Sequence, residues 1–173
     1  MSVQQIYKGR IVDLRLEEVG LPNGRSVMLE VVHHPGASAI AAVDMHGAVA
    51  LVRQFRHAAG GFIWEVPAGT LAPGEAPEAC ARRELREEAG LLATQWTALG
   101  SILTTPGFCD ERIHLFLARG LSEAAQQLDF DEVLDVSRVP MRRALEMVRD
   151  GTIEDAKTIA ALHRAAAALG LLG

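Results

Sequence analysis

The chain has 173 residues, of which 49% are hydrophobic and 23% charged. That is enough apolar material for one packed domain, and it excludes an intrinsically disordered chain. The 17 basic residues stand against 22 acidic ones, a net charge of −5, which excludes a nucleic-acid module built on a basic face and leaves room for a small phosphorylated ligand. Two cysteines, Cys80 and Cys109, are too few for a disulfide framework, so reduced thiols in a cytoplasm are expected. The start, Met1-Ser2-Val3-Gln4-Gln5, lacks the basic-then-apolar pattern of a signal peptide. No apolar run approaches the ~20 residues that span a bilayer.

In chain order, Val12, Leu14 and Leu16 alternate with Asp13, Arg15 and Glu17, the period of a half-buried strand. Pro22-Asn23-Gly24 is a turn signal, and Val27, Leu29 and Val31 alternate again. An N-terminal hairpin is predicted. The apolar runs 37–43 and 48–55, around Asp44-Met45-His46-Gly47, predict a second hairpin. A short strand over 62–66 runs into Pro67-Ala68-Gly69. Pro77 to Ala89 reads as a helix, with Pro in its first turn and Gly90 at its end. Strands are expected over 95–103, 113–118 and 133–139, and helices over 141–149 and 156–169, the last capped by Asp155. The expected class is α+β, a mixed sheet packed by helices.

On a helical wheel with Glu84 at zero, Glu88 falls at about 40° and Glu87 at about 300°. The three carboxylates share one face. Ala81, Leu85, Ala89 and Leu92 form the adjacent apolar stripe, and Arg82 and Arg86 point to solvent. Arg83 can pair with Glu87 at i+4, which suits a solvated charged face. Glu84 and Glu88, however, are like charges at i,i+4 and repel. A divalent cation would turn that repulsion into a binding site, and oxygen-only ligands favour Mg²⁺ or Mn²⁺. The helix alone admits both readings.

The flanking residues separate them. Five residues lie between Gly69 and Glu75, and seven between Glu75 and Arg83; then follow Glu84, Leu85, Arg86, Glu87, Glu88, Ala89, Gly90 and Leu91. This resembles the Nudix box, Gly-x5-Glu-x7-Arg-Glu-U-x-Glu-Glu-x-Gly-U with U aliphatic, at every fixed position over 69–91. The resemblance implies a Nudix-type α/β/α sandwich at 36–173, preceded by an N-terminal β region at 1–35. It implies hydrolysis of a nucleoside diphosphate linked to another group. Glu84, Glu87 and Glu88 match metal ligands, with the Ala68 carbonyl as a further oxygen ligand. Gly69, Glu75, Arg83 and Gly90 match structural positions. Two or three divalent ions, Mg²⁺ or Mn²⁺, would neutralise the phosphate oxygens, so that catalysis is mostly positioning and charge stabilisation.

Pro106 lies fifteen residues after Leu91, in Thr105-Pro106-Gly107-Phe108-Cys109-Asp110-Glu111. This string, with Asp155-Ala156-Lys157-Thr158-Ile159, resembles the ADP-ribose pyrophosphatase branch, although a plain turn would also explain Pro106-Gly107. Cys109 stands where that branch often has Ser or Thr. The resemblance implies Mg²⁺-dependent hydrolysis of ADP-ribose to AMP and ribose 5-phosphate. Hydrolysis of another nucleotide sugar such as GDP-mannose is the alternative, and a non-catalytic nucleotide-sugar sensor a third. It implies Glu132 as general base, with Asp131 or a box glutamate as alternates and Phe130 as an anchor for the loop. Arg56 and Arg53 would contact phosphate. Glu65 would accept from an adenine amino group or merely edge a strand. Pro106, Gly107 and Glu111 would line the substrate site. Tyr7 offers a stacking surface, and Phe62 either that or core packing. His33-His34 has no partner at metal-ligand spacing and reads as a strand-end surface. The branch also implies a homodimer in which the N-terminal region is exchanged between subunits, with no nucleic-acid or membrane partner.

Overall fold

β4 (Ala37–Ala42) is buried at every position, because both of its faces are covered. The computed structural model, which describes residues 2–130 and 132–172, places it inside a four-stranded mixed sheet of order β7-β4-β9-β8. β4 runs parallel to β9 (Arg112–Glu123) and antiparallel to β7 (Ala68–Thr70), and β8 (Leu91–Leu103) closes the sheet against β9. Ile40 and Ala42 face Ala81, Leu85 and Ala89 of α1 (Pro77–Ala89). Ala39 and Ala41 face Ala161, Leu162 and Ala165 of α3 (Ala156–Ala168). The result is a sheet between helices, the expected α/β/α sandwich. Each large aliphatic side chain buried in these layers contributes about 1.5–3 kcal/mol. No helix among the described residues is long and apolar enough to cross a membrane.

A second sheet has the order β10-β5-β6, from β10 (Leu134–Pro140), β5 (Ala48–Arg56) and β6 (Gly61–Glu65). The expected 37–55 hairpin is therefore corrected. The turn forms, with Asp44 Oδ1 accepting from the His46 and Ala48 amides (2.8 and 2.9 Å), but the strands meet only at the Val43–Val49 bridge and then part into different sheets. Runs buried on both faces carry no alternation with which to select a neighbouring partner.

The N-terminal region is a three-stranded meander, β1 (Val3–Lys8), β2 (Asp13–Gly20) and β3 (Ser26–His33). The expected hairpin is its β2–β3 half, turning where Gly24 takes φ +82°. β1 went unread because it is exposed throughout and has no buried face to mark it. α2 (Met141–Arg149) and α3 lie where their periodicity and caps put them, with Asp155 accepting from the Thr158 amide (2.9 Å).

Candidate active site

The helical wheel predicts the orientation of α1. Cys80, Ala81, Glu84, Leu85, Glu88 and Ala89 are buried, and Arg82 and Arg86 are exposed. The acidic face goes deeper than a cleft edge: Glu84 is 7% and Glu88 2% exposed. Outside the helix, Arg82 lies over the Trp96 ring at 4.7 Å.

Arg83 organises the loop before the helix. Its Nε and Nη2 donate to the two Glu75 carboxylate oxygens (3.0 Å each), and Nη2 also donates to the Thr70 carbonyl (3.2 Å). This fork holds the Glu75 carboxyl down at about 2. Nη1 donates to Glu84 Oε1 (2.5 Å) and Glu87 Oε2 (3.0 Å). Arg83 thus stands between two of the three predicted metal ligands. Among the described residues no three carboxylate, imidazole or thiol groups converge in ready coordination geometry. Gly69 lies directly against Glu84, and a Cβ at that position would overlap the Glu84 carboxylate. This close approach explains the glycine better than turn freedom does.

The third carboxylate is bound differently. The Ala68 amide donates to Glu88 Oε2 (2.8 Å). Burial pushes the Glu88 carboxyl up to about 8 against the pull of that bond, with Glu84 and Glu132 adding repulsion. Burial also raises Glu84, with Arg83 opposing. An oxygen-only set of repelling carboxylates suits a hard divalent cation.

The end of α1 positions a second acidic segment. Gly90 takes φ +61° and reverses the chain, so β8 begins at Leu91 and not at 95. The Gln126 side chain donates to the Glu88 carbonyl (2.5 Å) and the Gln127 amide to the Glu87 carbonyl (2.9 Å). These bonds tie the 124–132 loop to the helix carrying the box. Within the loop the Asp129 amide donates to Glu132 Oε2 (2.9 Å). The expected Phe130 anchor is corrected: its ring is fully exposed. Asp131 lies outside the described residues.

Ala68, Gly69, Glu84, Glu87, Glu88, Glu111 and Glu132 line one cleft of about 750 Å³, with Arg56 and Arg83 on its wall. Arg53 does not line it; three residues from Arg56 on a strand, it points the other way and its guanidinium lies 5.5 Å from the centre of the Phe62 ring. Phe62 is half-exposed and packs edge-on against Phe55, outside the core. Pro106 and Gly107 are exposed and lie outside the cleft wall, to which their loop contributes Thr104, Thr105 and Glu111. Glu65 neither faces the cleft openly nor has a vacant oxygen: Oε2 accepts from Arg56 Nε (2.8 Å) and Oε1 from Lys157 Nζ. Both oxygens thus hold cations and the residue is 2% exposed, which leaves an adenine amino group little access.

Lys157 is the residue that the sequence reading missed as a site group. It lines the cleft, paired to Glu65 and to Asp155 (3.0 Å). Its placement depends on Thr158, whose Oγ1 accepts from the Val66 amide (2.9 Å). Arg10 and Ile11, between β1 and β2, reach the same cleft.

His33 is the last residue of β3. It bridges Glu17 Oε1 (2.7 Å) and Asp110 Oδ2 (2.6 Å). The Val32 amide donates to the Phe108 carbonyl (2.8 Å), so the meander holds the loop that carries Glu111. Glu17 foremost, then Asp110, raise His33 from 6.5. A raised histidine stabilises below its unfolded value and loses that contribution as pH climbs through the folded value. The melting temperature of wild type minus that of His33→Gln should therefore shrink as pH rises above 6.5. A difference independent of pH would remove the charged bridge from the account.

Residues 32–162 match the NUDIX domain family model. The chain belongs to the Nudix family. It is 44% identical over 165 residues to an ADP-ribose pyrophosphatase of Bacillus subtilis, covering 94% of this chain and 89% of that one. It is 42% identical, with the same coverage, to a methanol dehydrogenase activator of Bacillus methanolicus. A solved ADP compounds hydrolase shares the fold with a TM-score of 0.83 and 20% identity, over 99% of this chain and 95% of that chain.

Proposed function

We propose that this protein hydrolyses the pyrophosphate of ADP-ribose, giving AMP and ribose 5-phosphate. One observation carries the reading: buried, mutually repelling Glu84 and Glu88 share a cleft with the cations Arg56 and Lys157. The relative of Bacillus subtilis supports the substrate. Glu84, Glu87 and Glu88, with the Ala68 carbonyl, would hold two or three Mg²⁺ or Mn²⁺ ions. Bound there, such ions neutralise phosphate oxygens and lower the pKa of water. Arg56 offers its guanidinium to the diphosphate, and Glu65 and Lys157 fix its pose. For Glu84 and Glu87 to hold such ions, Arg83 would have to release them, while its fork to Glu75 could stay. Glu132 takes the proton from the attacking water. Products should be identified from a nucleotide-sugar panel that includes ADP-ribose and GDP-mannose, with Mg²⁺, with Mn²⁺ and with excess chelator. Hydrolysis of ADP-ribose that chelation abolishes is expected; full activity in chelator, or no ADP-ribose turnover, refutes the reading.

Two further outcomes follow from the same geometry. Glu65→Gln leaves one carboxamide oxygen for two cations, so Arg56 loses its fixed pose. KM for ADP-ribose should rise roughly tenfold, the worth of a charge-assisted hydrogen bond, with kcat little changed. An unchanged KM would deny Arg56 its phosphate role. We also propose a cytoplasmic homodimer that divides at residue 35, its N-terminal regions exchanged. Two free cysteines suit the compartment. The exposed Val3, Ile6, Tyr7, Met28 and Leu29 of the meander suit a partner surface. Deleting residues 1–33 should abolish both the dimer seen by light scattering and the activity; a fully active monomer would refute the exchange.

A further inference from the structure

Gln54 lies on β5, two residues before Arg56 and on the same strand face. It lines the active-site cleft, yet the residue is only 4% exposed. Its Oε1 is buried and, among the described residues, has no hydrogen-bond partner. A buried acceptor without a donor costs stability, so such an atom in a cleft wall needs an explanation.

The surrounding chemistry narrows the missing donor. Arg56 Nε and Lys157 are already paired to Glu65. Glu84 and Glu132, which line the same cleft, are carboxylates and accept when ionised. A donor on the ligand would complete Oε1. Phosphate oxygens are acceptors only, so the diphosphate itself cannot satisfy Oε1. A ligand hydroxyl can, and the amide nitrogen can donate back to it. Distance selects which hydroxyl. Two residues along a strand span about 6.8 Å, so a diphosphate held at Arg56 puts the adjoining sugar, and not the more distant base, beside Gln54.

Resting on the pyrophosphatase reading, we propose that Gln54 is a specificity-determining residue whose side-chain amide binds a hydroxyl of a sugar flanking the diphosphate. Oε1 has no partner among the described residues and gains one in the complex. Stability and substrate binding therefore pull in opposite directions at this position.

The test is Gln54→Met, which keeps the length of the side chain and removes the amide, with Gln54→Leu as a second variant should the first fold poorly. Wild type is assayed first on the nucleotide-sugar panel, so failure to hydrolyse ADP-ribose is seen independently of either variant; the constants below are then measured on whichever nucleotide sugar it does hydrolyse. The melting temperature should stay level or rise. KM should increase about 3- to 10-fold, the worth of one hydrogen bond, with kcat within about twofold. Inhibition by AMP or by ribose 5-phosphate should weaken by the same factor, and the product affected identifies which sugar the amide contacts. If KM and both product constants stay within about twofold, no sugar hydroxyl meets Gln54 and the proposal fails. A loss confined to kcat would also overturn it, because the amide would then serve the reacting water.

Discussion

Glu84→Gln and Glu88→Gln should each lower the rate of ADP-ribose hydrolysis by roughly 10²–10⁴-fold, because cation stabilisation of phosphoryl charge is worth several kcal/mol and 1.36 kcal/mol is tenfold. The Mg²⁺ concentration for half-maximal rate should rise as well. The metal-free fold should gain stability from the same changes. Both carboxyls are buried and raised, so each costs the fold either a desolvated charge or the uptake of a proton, and a neutral amide requires neither. Glutamine at 88 still offers an oxygen to the Ala68 amide, which keeps the helix joined to β7. Opposite signs in melting temperature and in rate are the signature of a site maintained for a cation. Unchanged rate with intact fold in both variants would mean that the box binds no metal here.

Glu132→Gln should lower kcat by roughly 10²–10⁴-fold, the usual worth of a positioned general base, with little change in KM or in Mg²⁺ dependence. Glu132 shares the cleft with the box, near enough that its charge raises both Glu84 and Glu88. It rides on a loop whose fixed points are the Gln126 and Gln127 bonds to the last carbonyls of α1, and not on the exposed Phe130. Its Oε2 accepts from the Asp129 amide, which leaves Oε1 as the oxygen to take a proton. Steady-state kinetics across Mg²⁺ concentrations distinguish this variant from Glu84→Gln. A near-neutral Glu132→Gln beside a crippling Glu87→Gln would move the base into the box.

Local chemistry alone determined α1 and much of its surroundings. The Pro77 start, the Gly90 stop and the 3.6-residue period settle which carboxylates turn inward, and those positions are what make the box readable as a family signature. The ends of α2 and α3 follow from the same local rules. Pairing across distance was decided only by the tertiary structure. β4 and the 49–52 run of β5 are buried on both faces, so alternation could not show that one joins β9 and the other β10. Side-chain partnerships followed the same rule. The engagement of Glu65 by Arg56 and Lys157 spans 92 residues to the latter, and the His33 bridge to Asp110 spans 77. A carboxylate or imidazole read in sequence shows its chemistry; what faces it depends on which distant elements the packed core brings alongside.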